Sequence, residues 1–360
     1  MAAGPVLQVT ATDKDTGTNA MISYSIIGGN SKSYFIIDLQ TGQINTTTSL
    51  DFEKTPSFNL TVMASDSKFT DSASVVIQVI DENDNNPSFN QATYSASVAE
   101  NSPVMTSVTT ISASDLDPFG QLTYSIESVQ PGNQSDAFSV DFTSGVITTA
   151  DVLDRELIDR YVLQVKVTDS GEPALSGVAT VTVTVTDKND NPPLFNVSSF
   201  RATIPEDADV SSFVIKIGAD DADFGSNARL SYSINSSNDM SAFVIKPNTG
   251  EITTNKKLDR ENISNYQLTC EAVDHGQPQL RSMPVIVHVT LTDVNDNAPK
   301  FSQSVYAANV SEDVSSGTVV EEVLAVDPDA GLNGMVIYQI SAGNDDDVFE
   351  IGNKTGKSPF

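Results

Sequence analysis

VTDKNDNPPLF, residues 185–195, ends a run of alternating Val and Thr in an acidic, Asn-rich knot and two prolines. The pattern returns as VIDENDNNPSF at 79–89 and LTDVNDNAPKF at 291–301. The last prolines, Pro87, Pro193 and Pro299, are 106 residues apart both times (193 − 87 and 299 − 193). That is an internal repeat, and an observed period outranks the two or three domains that 360 residues suggest by length alone. Proline cannot continue a central strand. Each D-x-N-D-N-x-P therefore closes one unit and opens the next, predicting units at 1–86, 87–192, 193–298 and 299–360.

Within a unit the strand signals are dense. ATVTVTVTD (179–187) alternates strictly between apolar and polar, placing one face in a core and one in water. YVLQVKVTD (161–169), FNLTVMASD (58–66) and YQLTCEAVD (266–274) share one template: an aromatic, alternating core positions, then Asp. FSVDFTSGVITT, FVIKPNTGEITT and FIIDLQTGQINT read as strand, Gly turn, strand. No stretch has sustained helical spacing. Many short strands with regular turns predict an all-β chain of β-sandwiches, and about 106 residues suffice for each to bury its own core.

The net charge of −29, from 48 Asp and Glu against 19 Lys and Arg, argues against a nucleic-acid partner. A hydrophobic fraction of 39%, arranged periodically, argues against disorder. One cysteine forbids an internal disulfide. No run approaches a membrane span, and MAAGPVLQVT has neither the charged nor the apolar region of a signal peptide.

The acids are not scattered. Measured from the first Asp of a D-x-D (Asp13, Asp115, Asp221, Asp327), a Glu precedes by 15 residues at Glu100, Glu206 and Glu312. An L-D-x-E follows, giving Asp51 with Glu53, Asp154 with Glu156, and Asp259 with Glu261. Strand-ending Asp66, Asp169 and Asp274 come 53 or 54 residues after, and the linkers add Asp84, Asp190 and Asp296. Hard oxygen ligands without His or Cys suit Ca2+. Zinc is disfavoured, since His275, His288 and Cys270 are the whole N/S donor set. An EF-hand fails because Thr18 and Tyr24 stand at its Gly and Glu positions. The bland alternative, solvated turn formers, would serve for a single D-x-D. Matched signatures across several units favour calcium.

VAEN, DADFGSNARLSYSI, LDRE, VTDSG and DKNDNPP resemble the calcium-binding signatures of cadherin repeats, over almost the whole chain. The resemblance implies Ig-like Greek-key sandwiches joined end to end, with about three Ca2+ at each complete junction. Carried over, the second-to-third junction would use Glu100, Asp154, Glu156, Asn189, Asp190, Asp221, Asp223 and Asp274, with carbonyls from Lys188, Asn191 and Asn227. The first would use Asp51, Glu53, Asn83, Asp84, Asp115, Asp117 and Asp169; it lacks a base Glu and the Asn position, so weaker binding is expected. The third would use Glu206, Asp259, Glu261, Asn295, Asp296, Asp327 and Asp329, with a carbonyl from Asn333, and lacks its strand-ending Asp. Without metal the like charges should splay each linker, and with metal they should form one rigid hinge.

The first unit lacks an opening strand, and the fourth stops after FEIGNKTG with a KSPF that does not continue the template. The expectation is a fragment of a longer protein, its last unit partly unfolded alone with an open sheet edge. Cys270 should be a core residue, His288 surface and His275 a turn residue, while Arg155 and Arg260 balance nearby acids where the first unit has Phe52. Eight N-x-S/T sequons, at Asn45, Asn59, Asn133, Asn196, Asn235, Asn262, Asn309 and Asn353, fit a secreted, glycosylated surface.

The function the resemblance implies is calcium-dependent cell–cell adhesion, on the extracellular side of a cell membrane whose anchor lies outside this chain. Partners would be other cadherin-like ectodomains, homophilic or heterophilic. The alternative is a calcium-stiffened spacer or signalling-receptor ectodomain without adhesive contacts of its own. Classical members exchange a strand through a Trp, and the chain has none, so it looks like the non-classical Fat, Dachsous or protocadherin type. No nucleophile-and-base pair and no sugar cleft with two carboxylates suggests an enzyme or a small-molecule substrate.

Overall fold

The computed structural model describes residues 4–117, 120–132 and 136–359. Strands dominate them, with a 3-10 turn at Gly17–Ala20. Two compact units divide the chain, Met1–Thr186 and Asp187–Phe360.

In the first unit, strands Ser23–Gly28, Ser57–Ser65 and Thr70–Gln78 form one sheet, and Pro5–Gln8, Gln43–Thr46 and Phe35–Ile37 another. Phe35 and Ile44 from one meet Leu60, Val62, Val75 and Ile77 from the other in a single apolar cluster. The next repeat adds a strand. Thr123–Gln130, Arg160–Thr168, Ser176–Thr186 and Thr93–Ala99 form a four-stranded sheet, over a three-stranded one of Phe138–Val140, Val146–Thr149 and Ser107–Thr110. The strand Ser176–Thr186 runs antiparallel to Arg160–Thr168 and parallel to Thr93–Ala99, from Thr180↔Thr93 to Thr186↔Ala99. The Val/Thr alternation has its expected result: Val181 and Val183 are fully buried, while Thr182 between them is half-buried and Thr184 and Thr186 beyond are exposed. Burying each such valine is worth about 1.5–3 kcal/mol relative to exposure.

The second unit repeats this plan. Ser231–Ser237, Asn265–Val273, Val285–Thr292 and Ser199–Pro205 form one sheet, again with a parallel final pair. Phe213–Lys216, Glu251–Thr254 and Phe243–Ile245 form the other. Cys270 is fully buried in their shared core, where burial pushes its thiol up to about 12. His288 is half-buried on the outward side of its strand, and His275 is exposed in a turn, its Nε2 2.7 Å from the Ser231 hydroxyl. Farther on, Lys300–Phe301 pairs with Ala325–Val326, and Val319–Glu322 with Lys357–Pro359.

That last pairing corrects the reading of KSPF. Lys357–Pro359 forms the strand after the Gly turn, as Gln43–Thr46, Val146–Thr149 and Glu251–Thr254 do. The turn itself dictates this. Gly42, Gly145, Gly250 and Gly356 all have positive φ, and a Cβ there would come within 2.1–2.4 Å of the carbonyl oxygens of Val9, Ile111, Ile217 and Val323. Each glycine carbonyl accepts the N–H of that same facing residue at 2.9–3.0 Å. A backbone device of this kind tolerates almost any side chain after the glycine. Residues 305–311, which the repeat places opposite a last strand, form no ladder among the described residues.

Candidate metal centres at the linkers

At the first two linkers an asparagine ties the linker to the repeat that follows it. Asn83 Nδ2 donates to the Pro173 carbonyl (2.7 Å) and to the Asp169 carboxylate (3.3 Å). Asn189 Nδ2 does the same with Pro278 (2.6 Å) and Asp274 (3.1 Å). Asp274 is fully buried and accepts the N–H groups of Gly276 and Leu280 at 2.8 and 2.9 Å, so it is locked before any ion arrives. Asn295, exposed, has no such partner among the described residues.

The second linker asparagine grips the D-x-D. Asn85, Asn191 and Asn297 each donate from the backbone N (3.1–3.3 Å) and from Nδ2 (2.7–2.8 Å) to Asp117, Asp223 and Asp329. The same Nδ2 also donates to Asp84, Asp190 or Asp296 at 2.7–2.8 Å. In turn Asp117, Asp223 and Asp329 donate their N–H to Asp115, Asp221 and Asp327. Three linkers thus share one geometry.

The upper loops bring together the remaining acids. Glu100 and Glu206 are each 1% exposed, and their carboxylates accept the backbone N–H of Arg155 (2.9 Å) and Arg260 (2.7 Å). That places one oxygen each of Glu100, Asp154 and Glu156, and of Glu206, Asp259 and Glu261, within 4.8 Å of one another. Glu53, Asp84 and Asp117 form a third such group, while Asp51 is drawn off to Lys54 (2.7 Å). Glu312 is exposed.

Electrostatics separates two kinds of acid. Burial first, then Glu100, pushes Glu156 up to about 6. Burial is also the main cause that raises Asp221 and Asp223, followed for Asp296 by Glu206 and Asp329. Glu53 is pulled down by its own backbone N–H, but desolvation and the Asp81 and Asp117 carboxylates outweigh that and raise it. Asp293 is different: burial pushes it up, yet the Ala330 N–H, Asn333 and Arg260 hold it below the usual range.

Asp293 opens the D-x-N-D-N motif but is not among the ligands expected from the sequence. It accepts Ala330 N and Asn333 Nδ2 at 2.9 Å each, as Asp187 accepts Phe224 N (3.0 Å) and Asn227 Nδ2 (2.7 Å). Asn227 and Asn333 are thereby braced through their side chains. In sequence the second repeat has Gln121 at the asparagine position, and among the described residues Asp81 Oδ1 is buried without a hydrogen-bond partner. The identical separations, 37 residues from 187 to 224 and from 293 to 330, were the available signal. Asp13, Asp15 and Asp66 also converge within 4.8 Å in the first repeat.

Whether these residues fit a cation is answered by their unmatched oxygens. Asp81 Oδ1, Asp115 Oδ2, Asn189 Oδ1 and Asp221 Oδ2 are buried acceptors with no donor among the described residues. Such an atom costs about 1–3 kcal/mol unless something positive meets it. All four are hard oxygens on linker or D-x-D residues, the donor type Ca2+ takes. At the third linker part of that positive charge is built in. Arg260 pairs with Glu261, with Asp293 (2.5 Å) and with Glu206 (3.8 Å), and donates to the Pro328 carbonyl (3.3 Å). Arg155 pairs with Glu156.

The chain is similar to known proteins in sequence and fold. The chain matches the Cadherin domain family over residues 2–80, 94–186, 200–292 and 306–357. It is 41% identical, over 98% of its length, to the Protocadherin-like wing polarity protein stan of Drosophila melanogaster, of which it spans 10%. To Protocadherin Fat 4 of Mus musculus it is 40% identical over 94% of its length, spanning 7% of that protein. Among solved structures, the Protocadherin GammaB4 extracellular domain superposes with a TM-score of 0.82 at 29% identity, covering 99% of this chain and 58% of that one. The Protocadherin gammaB7 EC3-6 structure gives 0.82 at 30% identity, covering 99% and 87%.

Proposed function

The chain belongs to the cadherin family, in tandem domains of the non-classical type, and from that premise we propose that it is part of a calcium-dependent adhesive ectodomain. Cadherin domains are structural and adhesion modules, not enzymes. The observation that carries the calcium reading is the set of buried, donorless oxygens at the linkers.

The proposed ligands in the first unit are Asp51, Glu53, Asn83, Asp84, Asp115, Asp117 and Asp169 around the first linker, and Glu100, Asp154 and Glu156. In the second unit they are Asn189, Asp190, Asp221, Asp223 and Asp274, with carbonyls of Lys188, Asn191 and Asn227. Around its later linker they are Glu206, Asp259, Glu261, Asn295, Asp296, Asp327 and Asp329, with the carbonyl of Asn333. Bound Ca2+, about three per complete junction, would neutralise these carboxylates and hold linker and loops as one piece. The residues' own contribution is preorganisation: Asn83 and Asn189 fix the strand-ending acids, and Asn85, Asn191 and Asn297 fix the D-x-D. Repeat boundaries at 86/87, 192/193 and 298/299 follow from the three linkers.

We place the chain on the extracellular side of a membrane, with other cadherin-like ectodomains as partners. No helix among the described residues is long and apolar enough to cross a membrane. A second reading has its own support, because relatives include the Cadherin EGF LAG seven-pass G-type receptor 3 of Mus musculus, 38% identical over 98% of the chain. There the repeats would be a stiffened spacer of a signalling receptor. Thermal unfolding of the 360-residue chain, in EGTA and then with Ca2+ titrated to millimolar, tests the metal sites. A saturable rise of several degrees is expected; an unchanged melting temperature rejects them. Aggregation of chain-coated beads in calcium separates adhesion from spacing.

A further inference from the structure

Asn196 opens the sequon Asn196-Val197-Ser198, in the loop between Leu194–Phe195 and Ser199–Pro205. It is exposed, and it lines a cleft of about 300 Å³ whose other walls include Leu194, Val197, Met283 and Pro284. Those walls are apolar yet wet: Met283 is 81% exposed, Leu194 63% and Val197 46%.

The cleft has a cause in the strand opposite. In the preceding repeat, Gly177 sits where Met283 does here, and a Cβ on Gly177 would lie 2.2 Å from the Pro87 carbonyl. Met283 cannot make that close approach, and Pro284 has no N–H to give a ladder. The regular strand therefore starts only at Val285, after an isolated bridge between Val273 and Arg281, whereas its counterpart already starts at Ser176. The gap so opened is at the small end of the ~300–1,000 Å³ range of ligand pockets, room for one ring rather than a peptide.

We propose that Asn196 is an N-glycosylation site whose first N-acetylglucosamine seats in this cleft, its ring face and acetyl methyl lying over Leu194, Val197 and Met283. The proposal rests on the extracellular reading above. Asn196 Nδ2 bonds to C1 of the sugar as the C1–O bond to the pyrophosphate of a lipid-linked oligosaccharide breaks. The pyrophosphate leaves with the electron pair, and one amide proton passes to a base of the transferase. The remaining N–H can keep its hydrogen bond to Asp220 Oδ2, 2.5 Å away. The tether thus aims the sugar at an apolar surface that water would otherwise cover at a cost. Among the other sequons, Asn45, Asn59 and Asn235 lie within strands, and Asn133 falls outside the described residues.

The test is secretion of the chain from eukaryotic cells making high-mannose glycans, followed by mass spectrometry of each sequon and trimming to the single sugar. Peroxide oxidation of Met283 is then timed against Met240, 57% exposed, as internal reference. We expect Asn196 occupied, and Met283 oxidised about threefold faster in Ser198→Ala than in the single-sugar chain, with Met240 unchanged. Equal Met283 rates overturn the seat. An empty Asn196 beside occupied sequons overturns the site alone. Empty sequons throughout overturn both it and the extracellular reading, whereas the calcium response of melting tests the metal sites separately.

Discussion

Asp221 keeps one buried oxygen without a donor while the other accepts the Asp223 N–H at 3.0 Å. Its cost is electrostatic, so an isosteric amide should relieve it. Asp221→Asn is expected to raise the melting temperature of the metal-free chain and to shrink its calcium-induced rise, by an effect of about 1–3 kcal/mol. Glu156 gives a pH prediction. Its carboxyl lies at about 6 against an unfolded value of 4.5. A raised carboxyl stabilises the fold in its protonated form, fully below 4.5 and no longer once pH has risen through about 6. Chelated protein should therefore melt higher at pH 5 than at pH 7, with the gain reduced in Glu156→Gln; a flat profile in both proteins rejects this. At this scale the sequence was legible wherever an acid's role is set by local spacing, as in the D-x-D and L-D-x-E motifs. For Asp187 and Asp293, whose task is to brace an asparagine 40 residues away (227 − 187 and 333 − 293), it offered only a repeated separation and no sign of the contact.

Strands are where period-two patterning is strongest, and ATVTVTVTD settled its own burial. The strand at Lys357–Pro359 was hidden because a glycine backbone contact, not side-chain alternation, fixes it. Met283-Pro284 hid a broken ladder for the opposite reason: the residue types still look like strand. Linkers differ in a way that follows from one position of the L-D-x-E loop. Arg260 ties that loop to Asp293 and to the Pro328 carbonyl, whereas the first unit has Phe52 and leaves Asp81 Oδ1 unmatched. In EGTA, hydrogen exchange should therefore be slower in residues 293–299 than in 81–87. Arg260→Met should abolish the difference, and Phe52→Arg should slow exchange in 81–87 by several-fold, since a guanidinium there would meet the linker carboxylate oxygen that now lacks a donor. Equal exchange in the two linkers of the wild-type chain would remove Arg260 from this role.

The whole chain repeats one plan with graded completeness. The repeats ending at Thr186 and Thr292 carry a pairing that the first lacks among its described strands: the opening strand lies parallel to the last, seven residues against seven, Thr93–Ala99 on Thr180–Thr186 and Ser199–Pro205 on Ile286–Thr292. Parallelism has a mechanical meaning. Tension enters a repeat at the start of one of these strands and leaves at the end of the other, so the two are pulled in opposite senses along a common ladder. The load is shared by all the rungs at once, as in a lap joint, instead of peeling them one at a time. Stretched singly, the second and third repeats should yield at higher force than a repeat opened from a hairpin end. Ser97→Pro, which deletes one N–H without touching the core, should lower that force while leaving the metal-binding acids in place.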